Sequence, residues 1–113
     1  MITKTDDMDT WEEIEPEVFW AGGLFEGEGC LTISGGHPRI KLNMTDEDVV
    51  RRFHSVVCVG QVREDRAQEK HGYKRQWEWY TASKAGVIEV IRLLWPFMGL
   101  RRRERAYDLL VAL

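Results

Sequence analysis

The sequence predicts an α+β domain, with helices covering one face of a four-stranded antiparallel sheet. Two patterns lead there. Apolar residues recur at helical spacing in four segments and alternate with polar ones in four shorter segments. Their order, α-β-β-α-β-β-α-α, makes two successive αββ units. A third observation, the length of 113 residues, allows one domain with a core of its own.

Residues 1–15 are polar and acidic without periodicity and read as a flexible or loosely docked arm, leaving 16–113 as the folded domain. Pro16 sits where a first helical turn tolerates proline, because the missing N–H would have no partner there. Val18, Ala21, Gly22 and Phe25 follow at i, i+3, i+4 and i+7, and the helix should end near residues 26–28, where Gly27 and Gly29 loosen the backbone. Residues 30–34 alternate as a strand, Gly35-Gly36-His37-Pro38 is turn chemistry, and residues 39–44 alternate strictly as a second strand.

Thr45 with Asp48 three residues later has the pattern of a capping box. The helix it opens carries Val49, Val50, Phe53, Val56 and Val57 on its apolar side, with Gly60 as its stop. Residues 61–65 form a short third strand, 66–73 a polar loop, and 76–81 a fourth strand. Ser83 can cap a third helix that holds Val87, Val90, Ile91 and Leu94 and that Pro96 ends. Beyond Gly99 a last helix places Ala106, Leu109, Leu110 and Leu113 at helical spacing.

Strand periodicity assigns faces. Ile40, Leu42 and Met44 point toward the helices, as do Trp77, Trp79 and Thr81. The open face then presents Thr32 and Ser34 beside Cys30, then Arg39, Lys41 and Asn43, Gln61 and Arg63 beside Asp65, and Gln76, Glu78 and Tyr80. Lys74 stands just ahead of the fourth strand. Such side chains can hydrogen-bond base edges and phosphates, and a two-stranded ribbon fits the major groove. An ordinary solvated face would look the same, since antiparallel sheets commonly wet one side.

Charge and composition bound the function. The net charge of −3 is unevenly distributed: residues 1–28 carry nine acids and one base, the other 85 residues fifteen bases and ten acids. An acidic head thus sits on a basic body, and local fields govern binding more than net charge does. No apolar stretch is long enough to span a membrane, and the first residues lack the parts of a signal peptide, so a cytoplasmic or organellar location, not a secreted one, is expected. Cys30 and Cys58 lack CxxC spacing and should stay reduced. His37, His54 and His71 have no metal-ligand spacing, and no phosphate-cradling GxxxxGK[ST] loop occurs.

One segment is more specific. Ala21-Gly22-Gly23-Leu24-Phe25-Glu26-Gly27-Glu28-Gly29 resembles the nine-residue signature of the LAGLIDADG homing endonucleases, in the form ending Gly-Glu-Gly. The likeness continues in order along residues 16–113. Gly29-Cys30-Leu31 starts the following strand, and Thr45-Asp46-Glu47-Asp48 opens the second helix. Cys58-Val59-Gly60 is similar to the family's Gly-x-Gly turn. Leu94-Trp95-Pro96-Phe97 with Arg101-Arg102-Arg103 looks like its basic C-terminal region.

The resemblance implies an αββαββα fold whose sheet forms a DNA-binding saddle. It also implies site-specific double-strand DNA cleavage with Mg²⁺ or another divalent cation, serving the mobility of an intron or free-standing gene. A single copy of the motif implies a homodimer paired through the motif helices, with Ala21, Gly22, Gly23, Phe25 and Glu26 at the interface. Glycines without side chains would let those helices approach backbone to backbone, or would serve close packing within the monomer. The motif's last acid, Glu28, takes the metal role, since converging carboxylates suit a hard cation; Glu26 either serves the interface or is merely solvated.

Asp46 falls near the family's water-orienting polar position, but it suits a helix N-terminus equally well. Arg101 and Arg102 both fall near its basic active-site residue, where lysine is frequent. An arginine there stabilises phosphate charge but does not titrate near neutrality. That departure keeps a second expectation open: a weak or inactive DNA-binding regulator or RNA splicing maturase on the same scaffold.

Overall fold

A computed structural model describes residues 14–66, 72 and 74–113. The proposed arm lies outside them except for Ile14 and Glu15, as does most of the 66–73 loop. Helix α1 (Pro16–Glu28) leads into strand β1 (Gly29–Ser34) and strand β2 (His37–Met44). Helix α2 (Glu47–Val57), β3 (Gln61–Asp65) and β4 (Gln76–Thr81) repeat that pattern. Helix α3 (Lys84–Leu94), a 3₁₀ turn (Trp95–Phe97) and α4 (Leu100–Ala112) complete the domain. The four strands form one antiparallel sheet in the order β1-β2-β4-β3, so each hairpin supplies one inner and one edge strand.

The inward rows assigned by alternation pack as expected. Ile40, Leu42 and Trp79 are fully buried, and Thr81 nearly so. Over them lie Phe25 from α1, Val50 and Phe53 from α2, Val87, Val90 and Leu94 from α3, and Leu109 from α4. Three aromatics run through this core: Phe53 meets Trp79 edge-on at 4.9 Å between ring centres, and Phe25 stacks on Phe53 at 6.2 Å. Trp79 satisfies its only polar atom by donating Nε1–H to the Val59 carbonyl at 2.8 Å.

Several local expectations are corrected. The β1–β2 turn is only Gly35-Gly36, both at positive φ (59° and 83°), so His37 and Pro38 belong to β2. A two-residue turn with both residues at positive φ matches strand twist better than a type I or II turn would. No capping box forms at Thr45: Asp46 is the N-cap residue of α2 and makes no side-chain cap bond. Its backbone carbonyl instead accepts from the N–H groups of Val49 and Val50.

Helix α2 stops before Gly60. Cys58 takes the left-handed conformation (φ 64°) and donates its N–H to the His54 carbonyl at 2.8 Å. Gly60, at φ 92°, serves the entry into β3, where a Cβ would press on the Trp79 indole and the Tyr80 carbonyl, each 2.6 Å away. Ser83 caps α3 as expected, accepting from the Gly86 N–H at 3.0 Å.

Candidate nucleic-acid interface

Strand register gathers the open-face residues into rows. On β1 and β2, Cys30 faces Lys41, Thr32 faces Arg39, and Ser34 faces His37, which sequence reasoning had left in a turn. Lys41 then pairs with Tyr80 and Asn43 with Glu78, while Gln61, Arg63 and Asp65 pair with Tyr80, Glu78 and Gln76. All of these therefore share one face. Lys74 is exposed but lies outside any strand.

Exposure on this face is not uniform. Glu78, expected to meet DNA, is only 4% exposed. Its neighbours enclose it, and Oε1 accepts from Nε of Arg63 at 2.8 Å, with Nη2 also 2.8 Å away as an ion pair. Asn43 donates to Asp65 at 3.0 Å, and the Tyr80 hydroxyl donates to Gln61 at 3.1 Å. Arg63 and Arg39 stack over the Tyr80 ring at 4.4 and 5.1 Å. The face is thus an interlocked polar layer with cationic ends outward, complementary to phosphates and acceptor-rich base edges.

Helix α1 fixes the position of the motif residues. Its core side holds Ala21 and Phe25, which are buried, and Gly22, where a Cβ would overlap the Phe97 ring. These three are packed inside the protomer, so the expectation that they form an intersubunit surface is corrected. Helical periodicity turns Trp20, Gly23 and Gly27 to the other side, flanked by Phe19 and Leu24. Gly23 and Gly27 have no neighbouring atom within 4 Å of where a Cβ would stand. Glu26 also turns inward on its own chain. Its Oε2 accepts from the Gly99 N–H at 3.0 Å, while Arg102 Nε stands 3.4 Å from Oε1 as an ion pair rather than an aligned hydrogen bond.

Glu28 ends α1 exposed, with no hydrogen bond or ion pair among the described residues. Arg102 lies beside it, donating to the Gly29 carbonyl at 2.9 Å. Arg105, which the sequence reading missed, donates to the Leu31 carbonyl at 3.2 Å. With Arg101 they line a basic hollow beside Gly29, Cys30 and Leu31. The signal was the three-residue spacing of Arg102 and Arg105 on one helix side.

Asp46 is exposed at the start of α2, beyond the end of β2; Leu42 of that strand faces Gly29, so Asp46 and Glu28 occupy the same end of the sheet. Among the described residues no three His, Cys, Asp or Glu side chains cluster as a metal site, and no helix is long and apolar enough to cross a membrane. One protomer supplies a single free carboxylate at the negative end of a helix dipole, which suits a cation once further oxygen ligands arrive.

No protein-family model matches the sequence, nor does any curated protein. Solved structures do match. The archaeal intron-encoded homing endonuclease I-Vdi141I, complexed with DNA, superposes with a TM-score of 0.68 at 15% identity, covering 85% of this chain and 66% of that one. The chain has the homing endonuclease fold.

The same homing endonuclease architecture recurs in the group I intron-encoded I-CeuI complexed with DNA (TM-score 0.66, 14% identity, 85% and 53% covered). It recurs again in the LAGLIDADG meganuclease I-AabMI bound to uncleaved DNA (0.60, 17%, 80% and 32%). The chain spans between about a third and two thirds of the length of these three proteins.

Proposed function

We propose that the chain is a site-specific double-strand DNA endonuclease of the LAGLIDADG type, acting as a homodimer with a divalent cation such as Mg²⁺. The observation that carries this reading is helix α1. Its apolar residues are spread around the helix rather than gathered on one side, interrupted by Glu17, Glu26 and Glu28, so apolar surface remains beyond the side that faces the core. Its core side is covered within the protomer, while on the other side Gly23 and Gly27 face open space next to Trp20, over which Arg52 lies at 3.8 Å. A second copy related by a two-fold axis would cover that side, crossing backbone to backbone at the glycines. The two Glu28 carboxylates would then converge between the two sheets.

Glu28 from both protomers, together with DNA phosphate oxygens, would hold the metal. Bound there, a divalent cation supplies Lewis acidity for activating water and stabilising the departing 3′-oxygen. The chain's own residues bind and orient. The polar strand rows hold the duplex, and Arg102 fixes the backbone next to Glu28 through the Gly29 carbonyl. Neighbours solved on DNA support the DNA partner. The location proposed is the cytoplasm of a bacterial or phage-infected cell, or an organelle.

The deciding experiment selects cleaved duplexes from a randomised or genomic library with purified protein and Mg²⁺. Wild type should cut at a quasi-palindromic site, and Glu28→Gln should bind that site without cutting it. Cleavage that persists in the variant overturns the assignment of Glu28. A second reading, a DNA-binding regulator or RNA maturase without cleavage, has one observation in its favour: Arg102 is already engaged with Gly29 and Glu26 rather than turned free toward a scissile phosphate. Site-specific binding with no cutting at any Mg²⁺ concentration would establish it.

A further inference from the structure

We infer that Arg63 is a guanine-reading residue, held in one pose by Glu78 and Tyr80, so that each half of the DNA target carries a guanine at the base pair Arg63 meets. The inference rests on the DNA-binding reading above and deepens it.

The starting point is the misplaced acid. Glu78 occupies an inner strand of the open face, where a carboxylate is ordinarily solvated and where it would repel phosphates. Instead it is 4% exposed, its Oε1 accepts from Nε of Arg63 at 2.8 Å, and Nη2 stands 2.8 Å from the same oxygen as an ion pair. The Arg63 side chain remains about half exposed, at 52%. The guanidinium also lies over the Tyr80 ring at 4.4 Å, and Gln61 accepts the Tyr80 hydroxyl proton, fixing the platform.

With its Nε–Nη2 edge turned to the carboxylate, the planar group makes no hydrogen bond through Nη1 among the described residues, which leaves the Nη1–Nη2 end for a ligand. That end presents two parallel N–H donors, the pattern that N7 and O6 of guanine accept in the major groove. A free arginine gives up side-chain freedom on meeting a base, whereas one already clamped gives up little. Glu78 also cancels the charge of Arg63. The pair therefore adds little general attraction for phosphate and is suited to discrimination instead.

The test enriches bound duplexes from a randomised library using the full chain, Arg63→Lys and Glu78→Gln, with folding checked by circular dichroism. Wild type should select guanine at one position, mirrored in the two half-sites. Arg63→Lys keeps the charge but loses the fork, and should reduce that preference roughly ten-fold at that position alone. Glu78→Gln should weaken the same preference while affinity for random duplex stays equal or rises, because a negative charge leaves the DNA face.

A site preference that neither substitution alters, or that both erode equally at every position, overturns the assignment and leaves the DNA-binding reading standing. A wild-type chain that retains no duplex overturns the DNA-binding reading instead. Should Glu78→Gln not fold, Arg63→Lys decides the outcome alone.

Discussion

Replacing Gly23 with leucine should separate the two faces of α1. Within the protomer a Cβ at this position meets nothing within 4 Å, so the side chain starts into open space. Removing glycine from a helix interior recovers about 0.8–1 kcal/mol of helix propensity. The isolated protomer should therefore become more stable by up to that amount. Association should change in the opposite direction. Each side chain inserted into a close-packed contact costs about 1–3 kcal/mol, and two-fold symmetry inserts two, for a total of about 2–6 kcal/mol. The dissociation constant should then rise about thirty-fold or more.

Sedimentation across a concentration series reads the association, and urea unfolding at concentrations where the protomer dominates reads its stability. Gly22→Ala is the control with the opposite signature: its Cβ would overlap the Phe97 ring, so the protomer itself should lose about 1–3 kcal/mol. Self-association of Gly23→Leu indistinguishable from wild type would refute the pairing of α1 helices, and so would a wild-type chain that stays monomeric.

Two further outcomes follow from the described geometry. Gly60→Ala places a Cβ at φ 92° against the Trp79 indole and the Tyr80 carbonyl, and should cost about 2–5 kcal/mol in chemical denaturation, near-native stability being the contrary result. The logarithm of DNA affinity should fall linearly with the logarithm of salt concentration; Lys41→Ala should reduce that slope by about one while weakening all sequences alike, and an unchanged slope would remove Lys41 from the phosphate contacts.

The sheet was legible because its signal is local: the alternation in residues 39–44 and 76–81 assigns faces without any knowledge of partners. Alternation gives the side, however, and not the exposure. Glu78 is on the expected side yet enclosed, because Arg63 on the neighbouring strand folds over it. Helix ends were less legible for a similar reason. Cys58 ends α2 in a conformation usually left to glycine, where its N–H bonds the His54 carbonyl and its Sγ–H the Ser55 carbonyl.

In the motif, sequence identified a run of small residues but not how they divide. Gly22 and Gly23 are neighbours in the chain, but one is closed by Phe97 and the other faces open space. The contact with Phe97 lies 75 residues away and has no sequence signature. Arg102 was singled out for chemistry, while its bonds to Gly29 and Glu26 arise only from the docking of α4 against the α1–β1 junction.

Those bonds bear on solubility. Strand β1 is an edge of the sheet, and its outward carbonyls at Gly29 and Leu31 are engaged by Arg102 and Arg105. An uncovered edge invites a strand from another molecule, the first step of sheet-like aggregation. Two arginines on a flanking helix close that route at the strand next to the motif. Losing both should show first as clumping during expression or concentration, before any loss of native structure can be measured.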